Sequence, residues 1–195
     1  MIAELLLLVA AASGSQAETA WPKQATAADV ARLDQWEDAL KIGRAGVIGA
    51  GEGATLAARS PLFETGAAMV NSDIPQGLYD CSITKLDGDP DGGLPYIAYA
   101  PFKCRVVDDH GRKHFTKLTG SQRTIGWIDE AGEKQSAYLG TLIYHYEDAL
   151  IPYGRSAKRD QAAVVHRIGP QRWRMIFPFP AYESKVDVIE LTPAD

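Results

Sequence analysis

The sequence predicts a mainly β chain with an N-terminal helical part, an α+β fold in which an antiparallel meander closes into a barrel or half-barrel. Three observations predict it. From Gly77 onward, short runs rich in β-branched and aromatic residues alternate with turns such as DDHG, TGS, DEAG and GPQ. Within those runs the apolar residues alternate along the strand. Upstream, Val30, Leu33, Trp36 and Leu40 recur at steps of three and four, the stripe of an amphipathic helix.

Taken in order, the first element is a leader. MIAELLLLVAAASGSQAE has an apolar run from Leu5 to Ala12, then Ser15 and Ala17 at the spacing of a small-residue cleavage site. Its n-region departs from type, with Glu4 and no Lys or Arg. Residues 1–17 are expected to be a cleaved signal peptide, which places the mature chain in the periplasm or outside the cell. The mature chain has no second apolar stretch of membrane length. The net charge of −5 argues against nucleic acid as a partner.

Residues 18–76 form the helical segment and its linker. Thr26 followed by Asp29 is an N-cap signal. Gly43, Gly46, Gly49, Gly51 and Gly53 should fray or break the helix, and a short second one runs from Ala54 toward Pro61. Residues 77–195 belong to the same domain and carry the strands, expected over 78–86, 96–107, 113–119, 123–128, 135–146, 162–168, 172–179 and 185–192. Ala137, Leu139, Thr141 and Ile143 share one face and Tyr138, Leu142, Tyr144 and Tyr146 the other; Trp173, Met175, Phe177 and Phe179 share a third stripe. With about eight strands, closure removes exposed edges, so the expected shape is lipocalin-like, with the helix over one opening or one side. Cys81 and Cys104 lie on neighbouring strands and read as a disulfide worth about 3 kcal/mol.

Several motifs lose their meaning in context. AGVIGAGEGATLAAR, Ala45 to Arg59, resembles a dinucleotide-binding turn, but a helix precedes it and a β meander follows, so no cofactor is expected. DGDPDG, Asp87 to Gly92, imitates half a calcium loop, yet Ala98 stands where a bidentate Glu is needed. His110, His114, His145 and His166 lack metal-site spacing, so no metal is expected, and no G-x-S-x-G elbow is present.

The distinctive polar text lies in two connections. FTKLTGSQR brings Lys117, Thr119, Ser121, Gln122 and Arg123 around one turn, and YGRSAKRDQ contributes Tyr153, Arg155 and Asp160. From Arg155 to Arg174 the basic residues outnumber the acidic ones, and Arg167 and Arg174 on two strands complete a surface suited to an anion. The competing reading is a solvated face whose bases pair with Glu130, Glu133, Glu147 and Asp148.

With WPKQATAADVARLDQWEDA, GLYDCSITKL, GLPYIAYAPFKC, FTKLTGSQRTIG, YLGTL and RIGPQRWRMIFPFPAYESKVDVIEL in view, the chain resembles domain-of-unknown-function family 4893, uncharacterised exported bacterial proteins. The resemblance spans about Trp21 to Leu191 and implies a single exported domain without assigning any residue a catalytic role.

The expected function is non-enzymatic, with the barrel binding a small ligand or an envelope partner. The alternatives are an envelope hydrolase, using Ser121 or Tyr153 with His145, His166 or Asp160, and an inhibitor-like module presenting DGDPDGG. A hollow barrel lined by Trp127, Trp173 and tyrosines would favour a ligand; a packed one would favour a protein partner.

Overall fold

From Gly77 to Pro193 the side chains alternate between an inner and an outer face, and that alternation builds a closed barrel. The structure is a computed structural model that describes residues 21–88 and 93–195. The leader expected over 1–17 and positions 89–92, with the calcium reading of DGDPDG, lie outside the described residues. The strands are β1 (Gly77–Gly88), β2 (Tyr96–Ala98), β3 (Phe102–Asp109), β4 (Arg112–Lys117), β5 (Gln122–Glu130), β6 (Ser136–Tyr144), β7 (Asp160–Gly169), β8 (Arg172–Pro178) and β9 (Ser184–Pro193). From β3 to β9 each pairs antiparallel with the next, and β9 pairs back on β1 from Tyr79↔Pro193 to Gly88↔Ser184. β1 and β3–β9 thus close an eight-stranded barrel.

The strand expected over 96–107 is two. β2 and β3 lie on the same edge of β1, but the register slips between Thr84↔Ala98 and Cys81↔Phe102. Pro101 sits at the slip and has no N–H to give the ladder. Cys81 and Cys104 face inward beside it, bonded at 1.99 Å with Cα atoms 6.0 Å apart.

The inner face is packed over most of its depth. Phe115, Tyr138 and Phe177 meet edge to face, with Met175, Val165 and Leu191 around them. One end is closed by the segment Met69–Pro75, the floor. Met69 N–H donates to Arg167 O (2.9 Å), Asn71 N–H to Glu133 O (2.8 Å), Trp173 Nε1–H to Asp73 O (2.9 Å) and Tyr79 O–H to Pro75 O (2.6 Å). These bonds reach four sides of the barrel, and Ile74 is driven fully into the interior.

The helices cover a side and leave the mouth open. α1 (Trp21–Gln24), α2 (Ala27–Asp34), α3 (Trp36–Gly49) and α4 (Gly53–Ala57) precede the barrel. Thr26 caps α2, its Oγ1 accepting from Asp29 N–H at 3.2 Å. Leu33 packs on Ala137, Leu139, Ala162 and Val164. Leu40, Val47, Leu62 and Phe63 pack on the outer faces of Leu86, Ile176, Val186 and Val188. Fully burying a residue such as Leu40 contributes roughly 1.5–3 kcal/mol as an upper bound.

Two expectations are corrected on this side. The helix does not break at its first glycines; α3 runs through Gly43 and Gly46 to Gly49. A Cβ on Gly43 would lie 2.5 Å from Val186 Cγ1, and one on Gly46 would lie 2.4 Å from Asp87 Oδ1. The glycines let the helix touch the wall, and that packing outweighs their low propensity. Phe179 also leaves the stripe of Trp173, Met175 and Phe177. Its φ of 44° turns the chain after β8, and the ring joins the cluster under the helices.

Candidate functional site

The open end is where β4 turns into β5. β4 alternates, so Phe115 and Lys117 both point inward, and the ammonium arrives at the mouth 3% exposed. Lys117 Nζ donates to Gln122 O at 2.6 Å and stands 3.7 Å from the centroid of the Phe102 ring. Gly120 has φ 91°, and a Cβ there would lie 2.8 Å from Nζ, so the turn accepts the ammonium only with glycine at this position. Thr119 Oγ1 accepts from Lys103 N–H (2.9 Å) and Ser121 O from His145 N–H (2.9 Å), which fixes the turn between β3 and the β6–β7 loop.

Across the mouth, Lys85 donates to Glu183 Oε2 at 2.7 Å and stands 3.5 Å from Asp187 Oδ2. Thr124 and Tyr138 share a buried hydroxyl–hydroxyl bond of 2.6 Å beneath them. These groups line an inner hollow of about 70 Å³, which holds Lys85, Lys117, Arg123, Gln161 and Asp187 among Ile83, Leu142, Phe177 and Ile189. An outer hollow of about 220 Å³ adjoins it, sharing Ile83, Lys85, Lys117 and Gln122 and reaching Tyr99, Phe102, Ser121 and Glu183.

The two lysines are held differently. Burial works against the charge on Lys85, but Asp187 and Glu183 outweigh it and raise its pKa. Burial, with Arg123 nearby, lowers Lys117 to about 8. Burial also pushes the Asp187 carboxyl up, against the pull of Lys85 and Ser184. Among the described residues no carboxylate stands within ion-pair distance of Lys117. The buried side-chain atoms there without a hydrogen-bond partner are Arg44 Nε, Arg123 Nε and Thr141 Oγ1, and of these Arg123 lines the mouth. Among the described residues, Lys117 and Arg123 therefore line the inner hollow with no ion pair of their own, the Asp187 carboxylate there being paired with Lys85.

The structure brings together part of the surface expected from sequence. Lys117, Ser121, Gln122 and Arg123 line the mouth, and Thr119 braces its turn. Tyr153 and Asp160 instead stitch α2 to the barrel. Tyr153 O–H donates to Asp29 Oδ2 at 2.5 Å and accepts from Thr26 N–H at 3.1 Å; burial and Asp29 raise its pKa to about 12. Asp160 Oδ1 accepts from Gly154 N–H at 2.9 Å. Arg155 lines an open hollow beside Asp29 and Arg32. Arg167 belongs to the floor end, its Nε–H on Gly169 O at 3.0 Å.

Arg174 faces outward into the helices and is fully buried. It donates to Leu62 O (2.8 Å), Glu64 O (2.7 Å) and His166 Nδ1 (3.3 Å), holding the loop after α4 against the wall. Burial and the Arg174 charge push His166 down to about 3, so the ring is neutral and accepts at Nδ1. Of the proposed nucleophile–base pairs, none is joined by a side-chain hydrogen bond among the described residues. Trp127 stands on the outer wall under Arg112 (4.7 Å) and Trp173 belongs to the floor, so the hollow interior that would have favoured a ligand does not form; the packed core is the outcome set for a protein partner, and the hollows at the mouth are what the barrel offers a small molecule. Arg159 does pair with Glu147, as the solvated-face reading has it. Sequence reasoning missed Lys85 and Asp187. Their signal was alternation: Lys85 shares parity with Tyr79, Cys81 and Ile83, and Asp187 with Ile189 and Leu191.

A family model, Domain of unknown function (DUF4893), matches residues 21–191, and the chain belongs to this family. No curated protein and no solved structure matches the chain. Among the described residues no helix is long and apolar enough to cross a membrane.

Proposed function

We propose that the barrel is a binding scaffold whose mouth takes a small carboxylate-bearing molecule, its charged end against Lys117 and Arg123 and its body against Ile83, Leu142 and Phe102. The observation that carries this reading is the buried Lys117, which among the described residues has a carbonyl and a ring face but no carboxylate, beside Arg123, whose buried Nε has no hydrogen-bond partner. Leaving such groups unpaired costs more than leaving them in water, and an arriving carboxylate removes that cost. The interior behind them is packed, so the ligand is small, entering to the depth of Thr124 and Tyr138.

The leader text and the disulfide support a periplasmic or secreted location for this binding. Calorimetric titration with propionate is the test. The expected result is saturable binding at neutral pH that weakens at least about tenfold, or 1.4 kcal/mol, in Lys117→Met and in Arg123→Gln. Equal binding by wild type and both variants would overturn the reading.

A further inference from the structure

The mouth offers more than charge. Lys117 Nζ stands at the junction of the two hollows, and the Asp187 carboxyl lines the inner one. Beside Nζ is the apolar face of Phe102, and Arg123, which lines the same hollow, disfavours a positive charge on it. A desolvated amine next to a second cation is the arrangement that makes lysine a nucleophile toward carbonyl carbon.

Resting on the carboxylate reading above, we propose that Lys117 captures a small aldehyde or keto acid as a reversible imine, Arg123 holding the ligand's carboxylate and Asp187 serving as proton donor. In the first step the free amine of Lys117 adds to the carbonyl carbon. The C–N bond forms as the C=O π bond breaks, and the proton lost by nitrogen passes to the oxygen. In the second step the C–O bond breaks and the oxygen leaves as water, taking a proton from the Asp187 carboxyl. The nitrogen gives up its remaining proton, which restores Asp187, and C=N forms. Amine and carbonyl become imine and water, with nothing oxidised or reduced.

The environments of the two groups suit these roles. Lys117, lowered to about 8, carries roughly a tenth of its population as free amine at pH 7, about 200-fold more than an ordinary lysine. Burial raises Asp187 against the pull of Lys85 and Ser184, so its carboxyl takes up a proton more readily than an exposed aspartate while staying within reach of the Lys85 ammonium. Groups displaced in opposite directions in one hollow are the pattern of an acid–base site.

The test is glyoxylate with a mild hydride reductant, on the folded full-domain protein at pH 7, read by peptide mass spectrometry. The expected product is one carboxymethyl group on Lys117, formed at least about tenfold faster than on exposed lysines such as Lys158 and Lys185. Excess propionate, which binds without forming an imine, should slow labelling of wild type at Lys117 and leave Lys158 unaffected. Asp187→Asn should slow trapping while propionate still binds. Labelling spread over exposed lysines with Lys117 spared, while propionate binds, would overturn the imine and leave the carboxylate reading standing. Failure of both labelling and propionate binding would overturn both.

Discussion

Arg174 on the helix-covered wall and Lys117 in the mouth are both cations withdrawn from water, 0% and 3% exposed, but only the first is fully answered. Arg174 meets carbonyls of the loop after α4 and the acceptor nitrogen of His166. Lys117 meets one carbonyl and a ring face. The same contrast runs through neighbouring pairs. Arg59 and Arg172 converge on Glu190, Arg159 is matched by Glu147 and Arg112 by Asp129. A buried charge that folding satisfies belongs to the scaffold; one left with partners to spare marks where something else arrives.

The largest expected effect comes from breaking the satisfied side. Arg174→Met should cost about 3–5 kcal/mol in urea unfolding, because buried carbonyls of Leu62 and Glu64 lose their donor. Next is acid. His166 has a folded pKa of about 3, below its unfolded value near 6.5, so the unfolded chain binds the extra proton between those limits. Stability should fall as pH drops from about 6.5 toward 3, by up to about 4 kcal/mol. His166→Gln should flatten that limb of the profile.

Gly43→Ala, which places a Cβ against Val186 and Leu86, should cost about 1–3 kcal/mol in the same unfolding assay. The effect at the mouth comes last and has the same pH sign as that of His166. Lys117 titrates lower in the folded chain than in the unfolded one, so the unfolded chain binds more protons between about 8 and 10.5. Wild type should therefore gain stability as pH rises through that window, by about 1–3 kcal/mol. Lys117→Met should lack this rise and match or exceed wild-type stability at pH 7.

Much of this architecture was legible in alternation. Strands from β4 to β9 lie within a few residues of their expected bounds, because each has a buried inner face and a turn rich in Gly, Pro or Asp. The Thr26 cap and the pairing of Cys81 with Cys104 were also legible. What escaped depended on long-range contact. Gly43 and Gly46 look like breakers until β1 and β9 lie against them. Arg174 looks like a surface cation because alternation places it outside the barrel, and nothing local says that a loop 110 residues earlier will cover it. The site was half visible. The TGS turn announced Lys117 through Arg123, whereas Lys85 and Asp187 sat inside apolar strands and drew no functional reading.

The charge state of Lys117 in the mouth decides whether an anion is bound there. The direct measurement is a titration of its side-chain nitrogen by NMR, with the amine isotopically labelled, in the absence and presence of saturating propionate. The predicted result is a midpoint near 8 that moves upward when the carboxylate is bound. A midpoint near 10.5, unchanged by propionate, would contradict the claim that this lysine waits for an anion.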